Sequence, residues 1–310
     1  MPSLQRNNFI GLTGFNWWVG VVENRLDPLN LCRVQVRIFG WHTDNKELIP
    51  SEDLPWAHPV LPINNSDTFK TPHEGEYVIG FFYDGESGQF PSYFGVIPGI
   101  PITGPNQDKG FSDQRHDLGS YPAPFGGSAA LYPNRLDEPT TSRLYRNEKI
   151  NETIIQREKD AVAKNVPTAS GGKWSQPEPS YAAKPPFNRV VETESGHVLE
   201  FDDTKDHERI HLAHRTGTYQ EIRPDGTEVT KIVKDNYEVI AGSDFLYVKG
   251  ACNVTVDGNA TLQVGGNVTA LVKGNVNATV NGNITTKVGG NYDITAGGHF
   301  TVKASTINLN

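Results

Sequence analysis

Between Ile240 and His299 a glycine recurs every eight residues, at Gly242, Gly250, Gly258, Gly266, Gly274, Gly282, Gly290 and Gly298. Two positions before each stands a β-branched aliphatic, Ile240, Val248, Val256, Val264, Val272, Val280 and Val288, with Ala296 in the last copy. Asn259, Asn267, Asn275, Asn283 and Asn291 follow their glycines directly. A fixed period with a fixed turn residue marks a repetitive architecture. Eight is even, so the two-residue alternation of a strand keeps its phase from copy to copy. Val256, Ala260 and Leu262 fall on one face, and Val264, Val268 and Ala270 continue it, while Thr, Lys, Asn and Gln fill much of the other. Gly-Asn supplies a corner, because both residues reach the left-handed region easily. The density of Val, Thr, Asn and Gly disfavours helix.

A strand of five or six residues cannot bury its apolar side alone, and a one-chain solenoid spends some 20 or more residues on each coil. An octad is too short for that. Three chains that each give one octad to a layer close a triangle instead. With an advance of about 4.8 Å per octad, eight octads make a prism on the order of 40 Å long.

Charge narrows the partners. The 310 residues carry a formal net charge of −8 with a pI near 5.6, which opposes general binding to nucleic acid or to an anionic membrane surface. Cys32 and Cys252 form neither a disulfide framework nor a metal motif, and Cys252 falls on the apolar phase, where a buried thiol is expected. Met1 to Gly20 lacks the basic start and apolar core of a secretory signal, and no run of 18 apolar residues is present.

Residues 1–102 read as a small closed barrel, an OB-like domain. Trp17 to Val22, Cys32 to Phe39, Glu76 to Tyr83 and Ser92 to Ile97 are strand-like, with turns such as Asp27-Pro28-Leu29-Asn30 between them. Val34, Val36 and Ile38 alternate with Arg33, Gln35 and Arg37. Barrels of this kind often bind single strands through rings and basic residues. Trp17, Trp18, Trp41, Phe81, Phe82 and Tyr83 with Arg25, Arg33 and Arg37 are the residues that reading would use. The acidic whole favours core and subunit contacts for them, and no specific nucleic acid is expected.

The run from Trp17 to Pro28 (WWVGVVENRLDP), followed by Cys32 to Arg37, resembles the opening of the central spikes of contractile phage baseplates. Leu54 to Ala57 and Pro72 to Val78 are similar to later barrel segments of that family, and Val190 to Thr204 to the segment that joins its barrel to its spike. The resemblance covers roughly residues 16–102 and 187–310 and extends to the spikes of type VI secretion systems. It implies a mainly β homotrimer with an OB-fold collar and a C-terminal intertwined triple-stranded β-helix. It further implies docking to tail hub and baseplate proteins through the N-terminal region, transient contact with a host outer membrane, and a place in the virion at the tail baseplate. Self-tipped spikes of the family carry His-x-His near the end. Here His299 stands alone, which implies a separate tip protein at the C-terminal end. The type VI spike is the alternative reading.

Residues 103–186 are Pro-rich and read as an extended linker. Phe111 to Arg115 and Tyr132 to Arg135 look like wrapping or partner-contact segments, and Arg143 to Ala163 holds one short helix. Some spikes of the family carry a lysozyme domain here, but this interval is too short and irregular for one. Glu148, Glu152, Glu158 and Asp160 read as solvated helix surface, so no enzyme and no cofactor are expected. Residues 187–239 form a β-rich entry to the 240–310 spike. His197, His207, His211 and His214 lie there among Asp202, Asp203, Asp206 and Glu208. Such groups can ligate a metal, yet their spacing suits a helix and the segment reads as strand, so no metal is assigned. On this reading the phased valines and glycines are the working residues.

Overall fold

Alternation along five short strands builds the first domain. The computed structural model describes residues 15–63, 71–115 and 136–308. β1 (Trp17–Asn24), β2 (Val34–Ile38), β3 (Trp56–Pro59), β4 (Tyr77–Phe82) and β5 (Pro91–Ile97) close a barrel in the order β1-β2-β3-β5-β4. β3 and β5 pair in parallel, and the other pairs are antiparallel. Closure removes the free edges that short strands would otherwise expose. The interior is filled by Trp18, Val22, Val34, Val36, Ile38, Ala57, Val78, Phe82 and Tyr93. Each large side chain buried there contributes roughly 1.5–3 kcal/mol. Gly80 has no freedom to change, because a Cβ would lie 2.0 Å from the Ser92 carbonyl oxygen and 2.4 Å from the Trp18 ring.

The outward face of β2 is covered rather than solvated. The Gln35 amide donates to the carbonyls of Leu54 (2.8 Å) and Glu52 (3.0 Å), and Arg37 is fully buried. The chain after β5 returns to make this cover. Gly110 N–H donates to the Asp44 carbonyl at 2.9 Å, Lys46 Nζ to that of Gln107 at 2.7 Å, and the Phe111 ring stacks on Phe39 at 4.5 Å. Gly110 lies against Arg37, where a Cβ would come within 2.4 Å of Nε. The segment from Phe111 to Arg115 thus wraps the barrel, whereas Tyr132 to Arg135 lie outside the described residues.

The helical stretch is two short helices, α1 (Arg143–Arg146) and α2 (Ile154–Asp160), with a 3-10 turn over Ile150–Glu152 between them. Asn147 and Lys149 break it by entering the left-handed region at φ 53° and 47°. Asn147 is held there by the hydrogen bond that its side-chain amide donates to the Ala183 carbonyl (2.8 Å). The Ser142 hydroxyl caps α1 by accepting from Leu144 N–H. A small hairpin, β6 (Val166–Pro167) with β7 (Lys173–Trp174), follows. β8 (Asn188–Glu192), β9 (Val198–Asp202), β10 (Arg209–Ala213), β11 (Tyr219–Ile222) and β12 (Glu228–Lys231) then form an antiparallel meander. Leu144, Ile154 and Ile155 pack on Val198, Ala213, Tyr219 and Val229, so the helices cover one face of the meander. No helix among the described residues is long and apolar enough to cross a membrane.

The chain divides into two units, Met1–Thr255 and Val256–Asn310. The second consists of octads, and each phased glycine lies at a bend.

Candidate assembly interface

The meander is inside-out. Register places Arg189, Phe201, Ile210 and Ile222 in one cross-strand row and Val191, Leu199, Leu212 and Gln220 in the next. These rows face away from the helices, and their six apolar members are 38–62% exposed. The covered face adds charge to the apolar contacts of Val198, Ala213, Tyr219 and Val229: Glu192, Glu200, Asp202, Arg209, His211 and Glu221 are all buried. A contiguous apolar face left open on a folded sheet marks an association surface.

The covered charges are bonded. Arg209 spans Glu221 (3.0 Å) and Glu200, with its guanidinium 5.0 Å from the centre of the Tyr181 ring. The Ser142 hydroxyl donates to Glu192 at 2.8 Å. Burial pushes the Glu200 carboxyl above the usual range, and it pushes the Tyr219 phenol up to about 12.

The octads continue the apolar theme without cover. Ile240, Val248, Val256, Val264, Val272, Val280 and Val288 are 46–55% exposed, and Val254, Leu262, Val268, Val276 and Ile284 are 71–84% exposed. A bend falls at Gly242, Gly250, Gly258, Gly266, Gly274, Gly282, Gly290 and Gly298 alike. The sequence reading missed two corners. The chain also bends at Val233-Lys234 and at Ser305, one period before Gly242 and about one period after Gly298, where no glycine stands. Counting by eight in both directions finds Lys234 and Thr306, and Ile232 then takes the phased aliphatic position. Cys252, expected to be buried, is exposed in the single chain, because nothing within one chain covers its phase.

The basic residues of the barrel are already paired. Arg33 holds Asp27 at 2.6 Å, which depresses the Asp27 carboxyl far below its ordinary range. Arg37 holds Glu23 at 2.7 Å. Arg25 reaches Glu194 at 2.5 Å and Glu74 at 3.3 Å. Trp18 and Phe82 are core and Trp41 packs on Phe82 at 4.6 Å, while Trp17 stays exposed, so it is the charges that a single strand would need that are spent.

Glu194 lies in the β8–β9 turn and ties the meander to the barrel. His73 bonds Glu194 through Nε2 and Glu76 through Nδ1 (3.1 Å). Burial opposes charge on His73, but its bonds to Glu194 and Glu76 outweigh that and raise its pKa. Burial likewise opposes charge on Glu194, yet His73 and Arg25 lower its pKa to about 2. The raised histidine contributes stability fully below its unfolded pKa of about 6.5, and this is lost as pH rises through the folded value. The depressed carboxylate contributes above roughly pH 4.5 and loses its share toward pH 2. Hydrogen exchange at Gly196 N–H, which bonds the Thr193 carbonyl at 2.9 Å, reads this clamp. After correction for intrinsic rates, protection is expected to fall severalfold as pH rises above about 6.5, and Glu194→Gln should flatten the dependence. An equally steep profile in that variant would remove the clamp.

Two family models match separate parts of the chain. Residues 40–170 match the model of the Gp5 N-terminal OB domain. Residues 193–296 match that of the bacteriophage T4 gp5 C-terminal trimerisation domain. The chain carries a Gp5 OB domain and a Gp5 C-terminal trimerisation domain. It is homologous to Protein Gp5 of Vibrio phage KVP40, with 38% identity over 284 residues, 80% of this chain and 64% of that protein. It is also 38% identical over 93 residues to the pre-baseplate central spike protein Gp5 of Enterobacteria phage T4, covering 30% of this chain and 16% of that one. The chain thus spans less than two thirds of the length of either relative. The Gp5 trimerisation match takes in β9 to β12, with most of the open apolar face, and the octads through Gly290. The Gp5 OB match continues past β5 through the wrapping segment, α1 and α2. The trimerisation domain supports a homotrimer.

Proposed function

We propose that this chain is the structural central spike at the tip of a contractile phage tail baseplate. It works as a homotrimer, docks to the tail hub through its N-terminal region and pierces the host outer membrane mechanically. The carrying observation is the inside-out meander, with charge covered by helices and Leu199, Phe201, Ile210 and Leu212 left open, leading into octads whose apolar phase is bare in one chain. Three chains would cover both surfaces with the same residues. Unfolding would then require separation of all three, which makes resistance kinetic. Both relatives are phage proteins, so the type VI reading is not favoured.

A mechanical role without intrinsic hydrolysis is supported by how the middle segment is used. Glycoside hydrolysis needs two carboxyl groups facing a cleft. Glu148 pairs with Arg146 (2.8 Å), Glu152 with Arg143 (2.6 Å), Asp160 with Gln156 (2.7 Å), and Glu158 is buried under the helix. These groups serve the fold, and any lytic activity is assigned to another protein. A separate tip protein at the C-terminal end completes the proposal.

Light-scattering mass combined with thiol labelling tests the core of this reading. A mass of three chains is expected, with Cys252 protected from a bulky maleimide until the protein is unfolded. A single-chain mass, or Cys252 labelled at the rate of the unfolded chain, would overturn it.

A further inference from the structure

The covered face of the meander holds a buried cluster of donors, two of whose atoms bond nothing among the described residues. Glu158 on α2, His211 on β10 and Glu221 on β11 are buried, and each offers one ligand atom within 4.8 Å of the other two. His211 Nε2 lies 2.9 Å from Glu158 Oε1. The other carboxylate oxygen of Glu158 and the Nδ1 of His211 are buried and bond nothing among the described residues. Glu221 is the anchored member. Its Oε1 accepts from Ser180 N–H (3.2 Å) and Oγ (3.1 Å) and lies 3.4 Å from Arg223, and its Oε2 accepts from Arg209 (3.0 Å).

Charge makes the vacancy of bonds more telling. Glu158, Glu200 and Glu221 bury three carboxylates together, and beside them among the described residues stand the fully buried Arg209, shared between Glu200 and Glu221, and the half-buried Arg223 on Glu221, with no arginine or lysine on Glu158. An uncompensated buried ion costs several kcal/mol. One imidazole and two carboxylates form a donor set suited to a borderline divalent ion, with ligand distances of about 2.0–2.2 Å for zinc. The 2.9 Å edge between Nε2 and Oε1 is a hydrogen-bond distance, and the two groups would part by about half an ångström to sit as neighbouring ligands of a tetrahedral zinc. The geometry points to a buried structural site for a divalent transition-metal ion, zinc first, held by Glu158, His211 and Glu221. Its position is structural, because no member is open to solvent. It would clip the helical cover to β10 and β11, whose opposite faces carry Ile210, Leu212 and Ile222, and so rigidify the assembly surface.

The test uses untagged full-length protein, since a histidine tag would bind the same ion. The protein is unfolded with chelator, refolded with zinc chloride and dialysed, and zinc is counted by mass spectrometry. About one zinc per chain is expected, with loss of at least roughly tenfold in His211→Ala and in Glu158→Gln. Glu158→Gln keeps side-chain volume, so a folded particle by light scattering remains available if His211→Ala fails to assemble. In the parent protein, cobalt in place of zinc should give visible ligand-field bands. A zinc-free refolded parent, or Glu158→Gln holding as much zinc as the parent, would overturn the site and leave proton uptake as the balance for these carboxylates.

Discussion

Val264→Asp is expected to open the three-chain particle locally and to lower its resistance to heat and SDS sharply, whereas Thr261→Asp three residues away leaves both unchanged. Val264 stands on the even phase that carries Val256, Leu262 and Val268, and Thr261 stands on the odd phase with Asn259 and Gln263. If three octads close each layer with the even phase inward, Val264→Asp brings three carboxylates into one small apolar section. Each buried ion costs several kcal/mol, and they also repel each other. The layer therefore loses on the order of 10 kcal/mol, enough to open the prism locally. Thr261→Asp meets water and should change stability by no more than about 0.5 kcal/mol. Light scattering and gel migration without boiling measure both. Equal behaviour of the two variants would show that the parity of the octads does not decide what faces inward. Truncation before Ile240 is the companion. It removes the octads and leaves the open meander face to hold the chains, so lower resistance to heat and protease is expected.

The octads were legible because their information is local: a turn residue, a period and a parity are all contained in eight positions. The barrel strands were legible for the same reason, Val34, Val36 and Ile38 being the plainest case. The polarity of the surfaces was not. Arg33, Gln35 and Arg37 read only as the face opposite Val34, Val36 and Ile38, and two of the three are sealed from a distance, Gln35 by Glu52 and Leu54, 17 and 19 positions on, and Arg37 by Glu23, 14 positions back. The β9 sequence Val198-Leu199-Glu200-Phe201-Asp202 has apolar residues in both phases, so alternation alone could not say which face the helices cover. Glu158 was misread as solvated although a signal existed. It lies four residues after Ile154 and three after Ile155, on the face that packs. The short helix end hid it, because Asn147 and Lys149 interrupt the periodicity that would have oriented α2. Cys252 was placed on the apolar phase correctly by parity, but parity says nothing about how many chains are needed to cover it.

The second large effect belongs to the barrel. Arg37→Ala is expected to destabilise it by about 3–5 kcal/mol, because it strands a buried carboxylate. Arg37 donates to Glu23 Oε1 (2.7 Å) and Oε2 (3.1 Å) and to the carbonyls of Thr43 (2.7 Å) and Ile49 (2.7 Å). Ser51 Oγ (2.6 Å) and Phe111 N–H (3.0 Å) complete the shell around Glu23. Without the guanidinium, Glu23 keeps two donors but no counter-charge, and two carbonyls lose their donor. Arg37→Lys should recover only part of the loss, since an ammonium cannot serve both carboxylate oxygens and two carbonyls in the same plane. The paired change Glu23→Gln with Arg37→Met removes the stranded charge and should cost less than Arg37→Ala alone, a non-additivity that identifies the ion pair as the cause. Four of the five tryptophans, Trp17, Trp18, Trp41 and Trp56, lie in the barrel sequence, so guanidinium unfolding followed by their emission reports this domain. An unmoved midpoint in Arg37→Ala would mean that water reaches Glu23 and that the wrapping segment around Gly110 and Phe111 does not seal the barrel wall.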